Sequence, residues 1–350
     1  MTNPQMSSNP KYRLCMIPRS ESVGGMSAFY AKMAWVLPRY GVHVVEDLDA
    51  PGLNGVLVIG GTRQVAALWR ARRRGIPIVQ RLDGMNWIHR RRRTGVRHYL
   101  RAERANALLA FIRARLATHV VYQSRFAKRW WERVYGRTRV PSSVVHNGVD
   151  LDRYSPRGPG ERPADRWRLL VVEGRLGGGY EVGLEHALGV AEGLEGQLHR
   201  PIELMVAGET PAWVRQQVMR RARVPIHWAG AVPADEIPAL DRSAHLLFAA
   251  DVNPACPNTV IEALACGLPV GAFDTGAIPE LVDEESGAVV AYGGDPWKLD
   301  PPDIPALVAA MTGVLEELGR YQVGARRRAE ASFGLERMVE GYLACLGWER

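Results

Sequence analysis

Lysine is nearly missing from this chain: of 45 basic residues only Lys11, Lys32, Lys128 and Lys298 are lysine, and the rest are arginine. No glycine is followed by lysine, which excludes a P-loop, and the GxSxG, HExxH and protein-kinase patterns are absent as well. Gly24-Gly25 and Gly60-Gly61 lack the spacing of a GxGxxG fingerprint, which argues against an ordinary dinucleotide oxidoreductase. Cysteine is scarce. Cys15, Cys256, Cys266 and Cys345 form no CxxC pair and lie far apart, so they read as reduced thiols, neither a disulfide framework nor a metal site. No run approaches 18 apolar residues, so no membrane span is expected, and the polar start Met1 to Pro10 lacks the apolar core of a signal peptide. These absences predict a cytoplasmic protein.

What is present is a folded chain of 350 residues, 47% hydrophobic and 23% charged, with a net charge of +8. Short β-rich runs alternate with stretches whose apolar residues fall at helical spacing, the pattern of a parallel α/β sheet. The first half supplies strands at 12–17, 42–45, 56–59, 76–79, 120–122 and 144–146. Between the first two, Met26, Phe29, Tyr30, Met33, Val36 and Leu37 line one face of a helix that Gly41 ends. Asp152 to Asp165, punctuated by Pro156, Gly158, Pro159, Gly160 and Pro163, reads as a linker. The alternation then restarts with strands at 169–172, 202–206, 226–228, 246–248, 270–273 and 288–290. The fold class is therefore α/β, with two doubly wound, Rossmann-like domains expected to face each other across a cleft. The boundaries are 1–152 and 153–334, and the last helical stretch, 335–350, has the option of packing back on the first domain.

Candidate ligand groups stand where strands run into helices. Gly24 and Gly25 separate the first strand from an amphipathic helix, so bare amides can approach a phosphate there. Arg175 follows the strand at 169–172 and opens into Gly177-Gly178-Gly179, where its planar fork can engage two phosphate oxygens. Glu262 lies in an otherwise apolar helix, Val260 to Leu264, after the proline-bounded loop Asn253 to Asn258. A carboxylate in such surroundings needs a partner, and the two hydroxyls of a ribose would serve.

These residues carry a resemblance. Gly24-Gly25-Met26, Gln123-Ser124-Arg125-Phe126, His146-Asn147-Gly148-Val149-Asp150, Gly174-Arg175-Leu176, Ala207-Gly208-Glu209 and Ile261 to Val270 resemble, in order and spacing, the group-1 (family 4) retaining glycosyltransferases of the GT-B fold. The resemblance implies metal-independent transfer of a sugar from a nucleotide-diphosphate sugar, a co-substrate rather than a cofactor, with no cofactor or metal required. It places Gly24, Gly25 and Arg175 at the donor diphosphate, Glu262 on the ribose, and Val232, in the turn after the strand at 226–228, near the nucleobase. Gly208 belongs to the same donor set. Asn258 and Thr259 open the helix bearing Glu262, where amides and the helix dipole favour phosphate.

Two positions depart from the family pattern. Tyr180 stands where a lysine is usual, five residues after Arg175, and Pro254 stands where a glutamate is usual, eight residues before Glu262. The second loss leaves Asn253 or Asn258 to take the donor-sugar contact. Either the site uses an altered donor, or the chain binds nucleotide sugar without turnover; a same-fold sugar-nucleotide epimerase is the third option.

On the acceptor side Asp83 follows the strand at 76–79 and is expected to be catalytic, orienting or deprotonating the acceptor hydroxyl. Cations crowd the region Arg70 to Arg104: Arg70, Arg72, Arg73 and Arg74, Arg90 to Arg93, then Arg97, Arg101 and Arg104 at helical spacing, with Trp87, Ile88 and Tyr99 among them. That composition suits peripheral attachment to an anionic membrane surface at its inner face and a lipid-linked or glycan acceptor in envelope polysaccharide assembly. No nucleic-acid motif accompanies the arginines, and nucleic acid is not an expected partner.

Overall fold

Runs of β-branched residues form the centres of two parallel sheets. In the computed structural model, which describes residues 11–19, 24–92 and 95–348, the first sheet comprises β1 (Tyr12–Ile17), β2 (Val42–Val45), β3 (Gly55–Ile59), β4 (Ile78–Leu82), β5 (His119–Tyr122) and β6 (Ser142–Val144). Its order is β2-β1-β3-β4-β5-β6. The second comprises β7 (Trp167–Arg175), β8 (Ile202–Glu209), β9 (Ile226–Gly230), β10 (Leu246–Phe248), β11 (Val270–Phe273) and β12 (Gly287–Val290), in the order β12-β11-β10-β7-β8-β9. Met1 to Pro10 and Arg93, which enter the expectations above, lie outside the described residues. β3 and β4 are buried at every position, as strands covered by helices on both faces must be.

The chain divides into two compact units. One holds Met1–Trp87, Gly95–Gly148 and Leu335–Arg350; the other holds Ile88–Thr94 and Val149–Gly334. In the first, the last helix, α12 (Leu335–Leu346), buries Leu335, Met338, Val339 and Tyr342 in the same cluster as Leu14 and Met16 of β1 and Leu57 of β3. Trp348 just beyond it stacks flat on Tyr12, with ring centroids 4.4 Å apart. In the second unit, two clusters cover the two faces of the sheet, one built on α8 (Asn258–Ala265) and the other on α5 (Glu181–Leu198).

Three local differences from the sequence reading have physical reasons. β4 starts at Ile78 and runs through Gln80, Arg81 and Leu82, not 76–79. Pro77 has no amide to donate, and the polar pair Gln80 and Arg81 is buried because its partners are internal: Gln80 Nε2 donates to the Gly60 carbonyl at 2.8 Å, and Arg81 stacks over Phe29 at 4.2 Å. β6 ends at Val144, so His146 stands two residues past the strand. The stretch 152–165 is no free linker: Arg242 donates to the carbonyls of Pro159 (2.6 Å) and Ser155 (3.0 Å), and Arg162 donates to that of Ala244 (2.6 Å).

Strand order reverses between β1 and β3 in the first sheet and between β7 and β10 in the second. At such a switch point the connections leave in opposite directions and open a crevice at the strands' carboxyl ends, which is where doubly wound sheets take ligands.

Candidate functional site

The second unit gathers most of the expected residues at one edge. β7 and β10 are neighbours, with Leu169 paired to Leu246 and Leu170 to Leu247, so the segments leaving their carboxyl ends share the switch point. Arg175 ends β7, exposed, and its guanidinium has no hydrogen bond or ion pair among the described residues. Gly208, near the end of β8, lies so close to Glu173 that a Cβ there would overlap the Glu173 carbonyl oxygen. Only glycine lets the two strand ends meet at this point.

From β10 the chain passes through Asp251 and Asn253 into α8. Asn253 adopts a left-handed conformation (φ 59°), is 4% exposed, and its side-chain Nδ2 finds no acceptor among the described residues. A strained, buried donor without a partner is costly, and such costs collect at ligand sites. Pro254 is consumed by structure, its carbonyl accepting from the Ala277 amide at 2.8 Å. Pro257 is the N-cap of α8 and supplies no side-chain cap, which leaves the amides of Asn258 and Thr259 at the positive end of the helix dipole. Glu262 is half-buried on the second turn of α8, and its charge reaches Tyr154, Asp241 and Cys266, raising the proton affinity of each. Val232 lies half-buried two residues after β9.

Sequence reasoning missed a pair of carboxyls here. Glu173 and Asp251 sit at the ends of the adjacent strands β7 and β10. Burial pushes both up, Asp251 to about 7, and the charge of Asp251 raises Glu173 further. The signal was an acid closing each apolar run, Glu173 after Leu169 to Val172 and Asp251 after Leu246 to Ala250. Recognising the pair also needs the sheet order, because β7 and β10 are far apart in sequence.

In the first unit, Gly24 is the N-cap of α1 (Gly25–Val36), and among the described residues no packing partner stands within 4 Å of the place a Cβ would take at Gly24 or Gly25. Packing therefore does not require Gly25, whereas close approach of a ligand to the first-turn amides would. Asp83 directly follows β4, and its carbonyl accepts the Trp131 indole N–H at 2.7 Å. Burial raises its carboxyl above the ordinary range against the pull of Arg81, which makes it a better base. Arg81 itself donates to Asn147 Oδ1 at 3.2 Å, and Asn147 donates to Gln123 Oε1 at 3.2 Å. A buried polar chain thus ties the Gln123 to Phe126 and His146 to Asp150 motifs to β4.

The basic region divides. Arg70 pairs with Asp49 at 2.8 Å, Arg72 donates to the carbonyls of Leu116 and Ala117 at 2.7 Å each, and Arg73 stacks over Trp69. Arg92 pairs with Glu181. In contrast, Arg97, Arg101 and Arg104 on α3 (Val96–Arg115) are without such partners among the described residues, and the same helix exposes Leu100 (48%) and Phe111 (47%). No described helix is long and apolar enough to cross a membrane, and the described residues include no metal-binding group of three or more His, Cys, Asp or Glu.

With this geometry in place, comparison with known proteins defines the class. Residues 168–317, in the second unit, match the domain described as "Glycosyl transferases group 1", and residues 59–153 match "Glycosyltransferase Family 4". The fold is GT-B: sucrose-phosphate synthase from Thermosynechococcus elongatus superposes with a TM-score of 0.75 at 16% identity, covering 95% of this chain and 98% of that one. Anabaena HepE, in complex with UDP and glucose, gives a TM-score of 0.69 at 15% identity over 96% of this chain and 99% of that one. Among curated proteins, a GDP-mannose-dependent alpha-(1-6)-phosphatidylinositol dimannoside mannosyltransferase of Mycobacterium tuberculosis is 27% identical over 249 residues, 68% of this chain. The match covers 60% of that relative's length.

Proposed function

We propose that the chain is a retaining glycosyltransferase that moves a sugar from a nucleotide-diphosphate sugar to a hydroxyl of a glycan or lipid-linked acceptor. The observation that carries this reading is Arg175, without a partner among the described residues, at the second sheet's switch point, on the same edge as the start of α8, which has no side-chain cap. In this reading the 149–334 unit holds the donor and the other unit the acceptor. Arg175 and the amides of Asn258 and Thr259 oppose the charge that grows on the leaving diphosphate, work that needs positive charge and positioning and no covalent nucleophile. Glu262 accepts from the ribose hydroxyls, the Asn253 amide donates to the donor sugar, and Asp83 takes or orients the acceptor proton.

Thermal-shift screening of UDP-, GDP-, ADP- and dTDP-sugars, followed by hydrolysis and transfer assays, tests the reading. At least one donor should raise the melting temperature, and Glu262→Ala should abolish the shift. No stabilisation by any nucleotide sugar would overturn it, and stabilisation without hydrolysis or transfer would leave a binding protein in its place. Product anomer analysis by NMR tests retention.

The exposed mixture of arginine, Leu100 and Phe111 on α3 supports a membrane-bound acceptor, as does the lipid acceptor named for the mycobacterial relative. Three arginines near an anionic surface contribute about 3 kcal/mol. Co-sedimentation with phosphatidylserine vesicles should exceed that with phosphatidylcholine, and reversing Arg97, Arg101 and Arg104 to glutamate should remove the difference. Negligible binding to both vesicles would exclude the membrane role.

A further inference from the structure

The donor edge of the second unit is rich in acid. Glu173, Asp251, Glu209 and Glu262 all stand at carboxyl ends of its strands or on α8, and β7 and β8 place Arg175 opposite Glu209. A diphosphate arriving there with two negative charges meets Arg175, the cation of this edge without a partner among the described residues, beside Glu209 and Glu262, and the Glu173 and Asp251 pair adds negative charge as it ionises. Charge of the opposite sign has to come from elsewhere in the unit.

One element brings it. The segment Ile88–Thr94 is separated in sequence by more than fifty residues from the rest of the second unit, yet belongs to it spatially. Ile88 packs on the glycine loop that follows Arg175: a Cβ at position 179 would stand 3.1 Å from Ile88 Cγ1, and Gly179 is in the left-handed region (φ 109°). Four residues on, Arg92 extends to Glu181 at the start of α5, with Nη1 3.4 Å from Oε1. The other Glu181 oxygen accepts from the Gly179 amide at 2.7 Å, so one carboxylate holds both the loop and the arginine. The positive field of Arg92 extends along α5: with burial it helps to push His186 down to about 4.

Two features make this arginine exchangeable. Its contact with Glu181 is single and long, and its side chain is 37% exposed, so the guanidinium keeps donors free to turn toward another acceptor. A diphosphate offers the bidentate acceptor that guanidinium prefers, which one carboxylate oxygen at 3.4 Å does not.

We propose that Arg92 is the second diphosphate-binding cation of this chain, the partner of Arg175 across the glycine loop Gly177 to Gly179, with Glu181 holding it in place until a nucleotide arrives. The inference rests on the reading of this unit as the donor domain. It assigns a donor contact to a stretch of sequence that otherwise lies within the acceptor half.

Isothermal titration of the full chain and of Arg92→Ala with UDP, GDP, ADP and dTDP tests it, alongside the corresponding nucleosides. For whichever diphosphate the wild type binds, Arg92→Ala should weaken binding at least tenfold and flatten its salt dependence. Affinity for the matching nucleoside should be unchanged, and Arg92→Lys should recover part of the loss. Equal diphosphate affinity in wild type and Arg92→Ala would overturn the proposal and leave the donor reading standing. A parallel fall in nucleoside and diphosphate affinity would overturn it in favour of a packing role. Failure of the wild type to bind any of the four diphosphates would overturn both.

Discussion

Asp241 offers the sharpest quantitative test of the packing around the candidate site. It lies on α7 (Ile237–Arg242), 1% exposed, with Oδ2 lacking any partner among the described residues. Burial pushes its carboxyl well up, and the charge of Glu262 adds to this; the Cys266 thiol, which donates to it, and Arg242 pull the other way without winning. A carboxyl that is protonated when folded and ionised when unfolded binds more protons in the native state, so stability must fall as pH rises above the unfolded value. The slope is about 1.4 kcal/mol per pH unit until the folded carboxyl itself ionises. For a unit of this size 1 kcal/mol moves the melting temperature by about 2–4 °C, so the slope amounts to roughly 3–6 °C per pH unit. Asp241→Asn keeps the shape, still accepts from Cys266, and puts one unpaired polar atom where one already exists. Below the unfolded carboxylate range the variant and wild type should therefore melt alike. From there toward neutrality the variant should gain on wild type by that amount per pH unit. Differential scanning calorimetry on both proteins across pH 4 to 8 reads the difference directly, with contributions from other carboxyls cancelling. Two curves that stay parallel would refute the claim that Asp241 is held neutral.

Other expectations follow from single contacts. Gly208→Ala should lower the melting temperature by an amount corresponding to about 1–3 kcal/mol or more, because the new methyl overlaps backbone that cannot swing away. Raising the pH through about 7 should weaken binding of a nucleotide sugar, whose own phosphates do not titrate there, as the Glu173 and Asp251 pair gains negative charge beside it. Asp251→Asn should flatten that dependence when affinity is measured from pH 5.5 to 8.5, and an unchanged profile would exclude the pair from the site. Asp83→Asn should cut turnover by about 100-fold or more with donor affinity preserved, which steady-state kinetics against direct binding will separate.

The strands were readable because buried parallel strands need β-branched residues on both faces, and each expected run overlaps a strand of one sheet or the other, 144–146 by Val144 alone. β4 shows where this fails. Gln80 and Arg81 look like loop residues by composition, and only partners at Gly60, Phe29 and Asn147 make them interior. The donor-side residues were legible as types at strand ends. What composition hides is adjacency between elements distant in sequence: the Glu173 and Asp251 pair needs β7 beside β10, and the role offered to Arg92 needs Ile88 to lie on Gly179. The arginine surplus likewise resolves only in three dimensions, into residues tied to carbonyls and carboxylates and a few left exposed on α3.

The placement of α12 bears on synthesis. The second unit is nested between two parts of the first, whose core contains Leu335, Met338, Val339 and Tyr342. As the ribosome extends the chain, the short piece Ile88–Thr94 emerges first, so the second unit is complete once residues 149–334 have followed. The unit begun first must wait, with Leu14, Met16 and Leu57 uncovered, until the final helix leaves the exit tunnel. A fragment ending at residue 152 would stay in that waiting state permanently and should aggregate. Adding the peptide 335–348 in trans should restore its solubility.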